Sequence, residues 1–408
     1  MQIEFGLFET LAITVLVIYL GQWLRKVFPA LKKYCIPSAV VGGTLVSIVI
    51  CILHVTNLAS FSFDSSTMNT FFYNIFFASS GCAASLALLK KGGKLVVIFS
   101  ILAAVLAILQ NVLALGMGTA MGMNPLVALM AGSTPLTGGH GNAASFAPIA
   151  VEMGGIGAME VAVAAATFGL ISGCLVGGPI GRRLIRKHNL DKGYVSADAP
   201  ELEENGPVKA FMSSARSTKA VFILLLACGL GQLMFKGFTA LMAYFGSTFS
   251  LPIHVMCMAG GIVARLVLDG SGKGDAALYE SLDIVGEIAL AIFVSMSIMT
   301  MQLWQLADLA FQLIAILMVQ LVFAFLFCTY ITYNLCGRNY DAAVIATGHS
   351  GFGLGAVPVS MATMTAVCEQ YHYSRLAFFV VPLIGGFISN LTNAVIISTF
   401  LNIAAGML

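Results

Sequence analysis

Between residues 95 and 151 this 408-residue chain contains no Asp, Glu, Lys or Arg. About 20 apolar residues suffice for a helix to cross the hydrocarbon of a bilayer, so the run has room for more than one crossing. Similar runs recur along the chain. Charged residues make up only 9% of it, against about 25% in soluble domains, and the mean hydropathy is +0.95. A membrane β-barrel would instead show segments of about ten residues with weak alternation. The expected class is therefore an all-α, multi-span protein surrounded by lipid bilayer. The nine cysteines are scattered without a CxxC pair and the six histidines show no HxxxH or HExxH spacing, so neither a disulfide framework nor a transition-metal site is expected. The net charge of +2 singles out no partner, and no nucleic-acid partner is expected. No Walker motif is present, which argues against ATP as an energy source. The first apolar run lacks a basic leader and carries Glu4 and Glu9 ahead of it, so it reads as a retained helix.

Basic residues orient the spans, because they gather on the cytoplasmic side. Ten full spans are expected near residues 7–24, 35–54, 70–89, 95–120, 159–180, 219–238, 250–268, 284–303, 309–332 and 376–400. With both termini outside and the central loop cytoplasmic, 19 of the 20 lysines and arginines fall on one side, and only Lys236 falls on the other. Lys94 and Arg182 then share a side, so an even number of crossings separates them. Two spans take about 45 residues of that interval. The remainder is split by TGGHGN into arms of 13 and 10 residues, NPLVALMAGSTPL and AASFAPIAVE. Neither arm can cross. A re-entrant hairpin over about residues 125–151 fits both length and parity, since irregular backbone at membrane depth must be buried by protein or line water.

The second half repeats this plan. KKYCIPSAVVGGTLVSIV resembles STFSLPIHVMCMAGGIVA, and AGSTPLTGGHGNAASFAP resembles ATGHSGFGLGAVPVSMA. Pro37 precedes Gly132 by 95 residues and Pro252 precedes Gly348 by 96. The expected organisation is a repeat over 1–180, a polar cytoplasmic linker over 181–218, and a second repeat over 219–408 with its own hairpin at about 341–367. Five spans per repeat is an odd number, so the repeats lie inverted in the membrane. Inverted repeats with broken helices are a feature of secondary transporters.

A hairpin tip exposes backbone amides at a helix N-terminus, which favour an anion. The carbonyls freed at the other half-helix end can hold a cation such as sodium. Thr134, Thr137, Gly138, Gly139, His140, Gly141 and Asn142 form one candidate substrate cluster. His349, Ser350, Gly351, Phe352, Gly353 and Gly355 form the second, joined by Asn393 from the last span. Ser133, Asp341, Gly348 and Asn390 are the sodium candidates. Close packing through small residues is the competing reading, but it explains neither the polar groups nor their repetition. His140 and His349 suit substrate donors, proton carriers or satisfied interior histidines. Asp341 suits a counter-charge to an ammonium group or sodium, or a partner for Arg338. Gln110, Asn111 and Gln320 read as interhelical hydrogen-bonding groups, and Glu152, Glu160 and Asp308 as solvated groups near the outer face.

At these motifs the chain resembles the bacterial sodium/glutamate symporter family. The segments that carry the resemblance are LKKYCIPSAVVGG, GGHGNAASFAP, TFGLISGCLVGGPIGRRL, GRNYDAAVIATGHSGFGLGAVP and NAVII. The resemblance implies sodium-coupled glutamate uptake through the inner membrane, with no prosthetic cofactor. It also implies inverted five-span repeats, each with a re-entrant hairpin, in a homodimer that works by an elevator-like movement. Its ligand-facing stretches would be residues 137–142 and 349–355, with Asp341 beside them. Two places depart from the family pattern. Asn142, Ala143 and Phe146 follow GGHG in place of threonine, glycine and a later tryptophan, and the acidic residue expected near Asn390 is missing. Transport of another small carboxylate is the nearest alternative. An intramembrane aspartyl protease built on Asp275 and Asp341 is a remote one, because Asp275 lies in a polar loop. A channel lacks support, since no charge ring or repeated filter is present.

Overall fold

The computed structural model describes residues 2–33, 36–83, 93–192, 194, 214–245, 251–304 and 309–408. It is nearly all helical. The first half carries α1 (Leu7–Val27), α2 (Pro29–Lys33), α3 (Ser38–Val55), α4 (Ser66–Cys82), α5 (Gly93–Ala120), α6 (Pro125–Leu129), α7 (Ser133–Leu136), α8 (Gly139–Glu152) and α9 (Ala158–His188). The second half carries α10 (Ser214–Tyr244), α11 (Ile253–Gly270), α12 (Ala276–Met299), α13 (Ala310–Leu335), α14 (Tyr340–Leu354), α15 (Val357–Cys368) and α16 (Arg375–Ala405). Among the described residues, nine helices are long and apolar enough to cross a membrane. They match nine of the ten expected spans, with boundaries that differ by up to eight residues. The tenth, expected at 70–89, coincides with α4, whose 17 residues are followed by residues outside those described.

The helices gather into two compact units. The first holds α1, α3, α4 and α10–α12; the second holds α2, α5–α9 and α13–α16. Each draws helices from before and after the central connection, so compactness divides the chain differently from the expected halves.

In the first unit, local sequence sets how the helices begin and how closely they pack. α3 and α11 both start directly after a proline, Pro37 and Pro252, in the same extended conformation (φ −62°, ψ 147° and φ −62°, ψ 151°). Proline suits that place because it has no N–H to leave unsatisfied. Glycines then bring backbones together. A Cβ on Gly42 of α3 would run into the backbone of Val17 and Gly21 in α1, and one on Gly260 of α11 would run into Ala227 and Gly231 in α10. The next residue of each pair faces a third helix: Gly43 meets Ile298 of α12, and Gly261 meets Ala78 and Cys82 of α4. The sets α1–α3–α12 and α10–α11–α4 thus repeat one arrangement. Small residues at such seams let dispersion hold helices that gain nothing from the hydrophobic effect in lipid. Gly42→Leu is therefore expected to lower the melting temperature clearly, because overpacking costs about 1–3 kcal/mol. An unchanged melting curve in detergent would show that the seam is loose.

One element departs from the all-helical expectation. β1 (Gln2–Phe5) and β2 (Ser60–Phe63) pair in parallel. They lie outside the helices, where backbone groups need partners, and Phe5 stacks on Phe63 with ring centroids 5.2 Å apart.

The second unit is built around buried Phe99, Leu106, Ile180, Phe327, Val344 and Phe352. Several of its helices are short. α8 has 14 residues, α14 has 15 and α15 has 12. At 1.5 Å per residue these run to about 18–22 Å, less than the roughly 30 Å of bilayer hydrocarbon. α14 and α15 are joined by Gly355 and Ala356 and pack on each other, with Gly351 against the backbone of Ser360. Two long helices contain a π-helical turn, Phe327–Thr332 in α13 and Ile384–Ile388 in α16.

Two expectations are corrected here. The polar linker does not begin at residue 181, because α9 runs on to His188 and buries Leu184 and Ile185. Cations in that last turn complement the helix dipole, so the basic run GRRLIRKH is helix end as well as connection. Glu160 is not solvated. It is buried, and its carboxylate accepts a hydrogen bond from the backbone amide of Gln302 at 2.7 Å. Glu152 is exposed as expected. Asp308, Lys90, Lys91 and Lys209 lie outside the described residues.

Candidate functional site

The candidate site lies within the second unit, where residues 125–152 and 340–368 bring their turns together. The first of these segments starts cleanly: the Asn124 side chain accepts from the Leu126 amide at 2.9 Å, and Pro125 opens α6. It is then broken three times within a few residues. Gly132 leaves the helix, α7 lasts four residues, and α8 opens on Gly139 at φ +63°. A Cβ on Gly139 would sit 3.1 Å from the carbonyl oxygen of Gly355, the residue that ends α14. The two turns therefore touch, and glycine is the residue that permits both the left-handed backbone and the approach.

A buried polar network holds the first turn. The Ser133 amide donates to Asn111 Oδ1 at 2.8 Å. Its hydroxyl donates to Asn393 Oδ1 at 2.7 Å, and Asn393 Nδ2 donates back to the Ser133 carbonyl at 3.0 Å. The Thr137 hydroxyl donates to Gln110 Oε1 at 2.7 Å, and Gln110 Nε2 donates to the Gly353 carbonyl at 2.7 Å. Gln320 Nε2 donates to the Gln110 carbonyl, again at 2.7 Å. Side chains from α5, α13 and α16 thus satisfy backbone that the broken helix leaves open. In a low-dielectric interior such bonds specify one arrangement, because each broken one strands a polar group.

The network also leaves functional groups over. Among the described residues, Thr134 Oγ1, Gln320 Oε1, Asn111 Nδ2 and Asn142 Nδ2 are buried without a hydrogen-bond partner. Buried polar groups are normally paired, and each exception calls for an explanation. The two oxygens suit a hard cation. The two amide nitrogens are donors and suit a carboxylate.

The remaining expected residues are distributed as follows. Gly138 packs against the Asn142 side chain. His140 Nε2 bonds the Thr167 hydroxyl on α9 at 3.0 Å, and Gly141 accepts from Ser145 at 2.7 Å. Gly353 belongs to the network through its carbonyl. His349 Nδ1 bonds Thr332, in the π turn of α13, at 2.8 Å. Its ring lies among Phe99, Phe352 and Phe327 at centroid distances of 4.9, 5.0 and 5.9 Å. Ser350 bonds within its own helix, to the Thr347 carbonyl at 2.8 Å. Gly348 accepts from the Ser360 hydroxyl at 2.6 Å and packs against Met364 and Val381.

The sodium candidates do not assemble. Only Ser133 belongs to the network at the turns. Asp341 sits at the start of α14, and 13 residues of helix, about 20 Å, separate it from Leu354 at the turn. Its Oδ1 accepts from the hydroxyls of Tyr194 and Ser374, each at 2.6 Å. Arg338 forms no ion pair with it, since the ion pair among the described residues is Arg265–Asp269. Asn390 is half-buried and donates to the Gly386 carbonyl at 2.8 Å. Asp275 caps α12 through the Leu278 amide at 2.6 Å, an ordinary structural role that lends no support to an aspartyl pair.

Thr167, Thr332, Tyr194 and Ser374 were not legible as site neighbours. Single hydroxyls carry no pattern, and these bonds span 17, 27, 33 and 147 positions, too far apart to leave a local trace. Gln110, Asn111 and Gln320 do make interhelical bonds, as expected. Asn111 and Gln110 bond the broken turn itself at Ser133 and Thr137, and Gln320 reaches it at the Ala131 carbonyl, 3.4 Å away.

Residues 3–373 match the family model described as sodium/glutamate symporter. A protein of Haemophilus influenzae named sodium/glutamate symporter is 36% identical over 401 residues, covering 97% of each chain. One of Escherichia coli with the same name is 36% identical over 395 residues, covering 96% of each.

Proposed function

Because this chain belongs to the sodium/glutamate symporter family, we propose that it carries L-glutamate, or a close anionic amino acid, into the cell together with sodium. The observation that carries this reading is the buried network at the two turns, with unpartnered oxygens beside unpartnered amide donors. The donors Asn111 and Asn142, with the amides at the start of α8, would receive a carboxylate. Thr134 and Gln320, with carbonyls freed by the broken helix, would receive sodium. Both are cargo, and no prosthetic cofactor is needed.

The repeated prolines and glycine seams support two inverted five-span repeats. The short helices of residues 125–152 and 340–368 support re-entrant hairpins. The second compact unit, which holds both hairpins, would be the moving part of an elevator-type cycle. The lysine and arginine distribution supports a cytoplasmic central connection with both termini outside, in the bacterial inner membrane. By the family resemblance the working unit would be a homodimer.

Purified protein in liposomes is expected to accumulate labelled glutamate above equilibrium when sodium is high outside. Replacing sodium by potassium on both sides should abolish accumulation. Equal accumulation in potassium would end the reading. Competition by aspartate and by dicarboxylates without an amino group then defines the substrate.

A further inference from the structure

A cleft of about 160 Å³ opens between the end of α9 and the π turn of α13, away from the network at the hairpin turns. Arg183, Lys187 and His188 line it from α9; Thr329, Tyr330 and Asn334 line it from α13. Arg183 and Lys187 are four residues apart, so they stack like charges on one helical face, which destabilises a helix by a few tenths of a kcal/mol. Among the described residues no carboxylate relieves them, since the ion pair found is Arg265–Asp269. Helix-end complementarity accounts for Lys187 and His188 but not for Arg183, which lies a turn further in. His188 stacks on Tyr333 with ring centroids 5.4 Å apart, which holds its imidazole at the cleft.

A second observation is independent of charge. Thr329 is 3% exposed, lines the cleft, and its hydroxyl has no hydrogen-bond partner. It lies in the π turn Phe327–Thr332. Such turns are rare and cluster at functional sites. This one sends Thr332 inward to His349 and Thr329 to the cleft.

We propose that this cleft binds the phosphate-bearing headgroup of an anionic phospholipid. Two cations, an imidazole and a buried hydroxyl match the charge and the acceptor oxygens of a phosphodiester. The cleft belongs to helices that cross the bilayer, and its cations lie on the basic side of the chain, where anionic lipid headgroups meet basic pockets between helices. The apolar walls of α9 and α13 would lie along the acyl chains. The exposed residues Leu175 of α9 and Ile331 of α13 are two such positions.

The test is lipid binding by the purified full-length protein in detergent. Phosphatidylglycerol is titrated while bound lipid is counted by native mass spectrometry and stability is read by thermal melting; phosphatidylcholine and inorganic phosphate are separate arms. Phosphatidylglycerol should raise the melting temperature and give one retained lipid, and neither other arm should. A cation near the surface contributes roughly a fivefold factor to anionic-lipid binding, so R183Q/K187Q should weaken retention about 25-fold. Thr329→Val, which leaves the charge intact, should also weaken it. Arg182→Gln, an exposed neighbour that does not line the cleft, should not. Equal retention by wild type and R183Q/K187Q would overturn the proposal. Competition by inorganic phosphate at matched concentration would also overturn it, assigning the cleft to a soluble anion.

Discussion

Gly139→Val is expected to abolish sodium-driven uptake in liposomes while the protein still purifies as a folded species. Gly139 combines a backbone at φ +63° with the carbonyl of Gly355 3.1 Å from where a Cβ would stand. A β-branched side chain conflicts with both. The left-handed backbone alone costs a non-glycine residue about 1–2 kcal/mol, which a folded domain with some 5–15 kcal/mol in hand survives. The contact is different, because valine must push the two turns apart and disturb the Gln110–Gly353 bond beside them. Gly122→Val separates the two effects. Gly122 also has a positive φ, +78°, but nothing lies within 4 Å of its added Cβ. That variant should lose some stability and keep most uptake. Comparable uptake by both variants would mean that the meeting of the turns is packing and no part of the transport site.

Asn393→Leu is expected to be nearly as severe. Asn393 both accepts from the Ser133 hydroxyl and donates to the Ser133 carbonyl. Leucine keeps the bulk and removes both bonds. Each buried polar group left unpaired costs about 1–3 kcal/mol, and loss of about 2.8 kcal/mol from the ordered turn corresponds to about a 100-fold fall in apparent affinity. The melting temperature should fall as well. Asn390→Leu is the comparison. Asn390 stands one turn earlier in α16, is half-buried, and bonds only its own helix at the Gly386 carbonyl. Its replacement should leave sodium-driven uptake within about threefold, less than 1 kcal/mol by the same conversion. If Asn390→Leu proved the more damaging of the two, the sodium site would lie along α16 and not at the turn.

Features under local chemical control could be read along the chain. Apolar runs long enough to span a bilayer placed nine helices, with ends that differ by up to eight residues. Proline at 37 and 252 marked where α3 and α11 begin, because a residue without an N–H suits a helix start and little else there. The glycines and hydroxyls of GSTPLTGGHGN marked broken backbone, because only protein partners can satisfy such a stretch inside lipid. The continuation of α9 through GRRLIRKH was hidden, since a charged helix end and a charged loop have the same composition. Glu160 was hidden for a related reason: its partner, the Gln302 amide, is 142 residues away.

Tertiary structure alone decided which polar groups meet. Ser133 is bonded by residues 22 and 260 positions away, and Gln110 reaches a carbonyl 243 positions away. In a soluble helix an apolar stripe would have shown which face turns inward. Here lipid is as apolar as a protein core, so outward faces are apolar too. Phe311, Leu226 and Ile314 are exposed and yet are no more polar than the buried residues of their own helices. The helices therefore carry little record of their orientation. The same physics parted Asp341 from the turns. GRNYDAAVIATGHSGFGLG reads as one motif, but about 20 Å of helical rise separates its carboxylate, beside Tyr194 and Ser374, from the turn at Gly355.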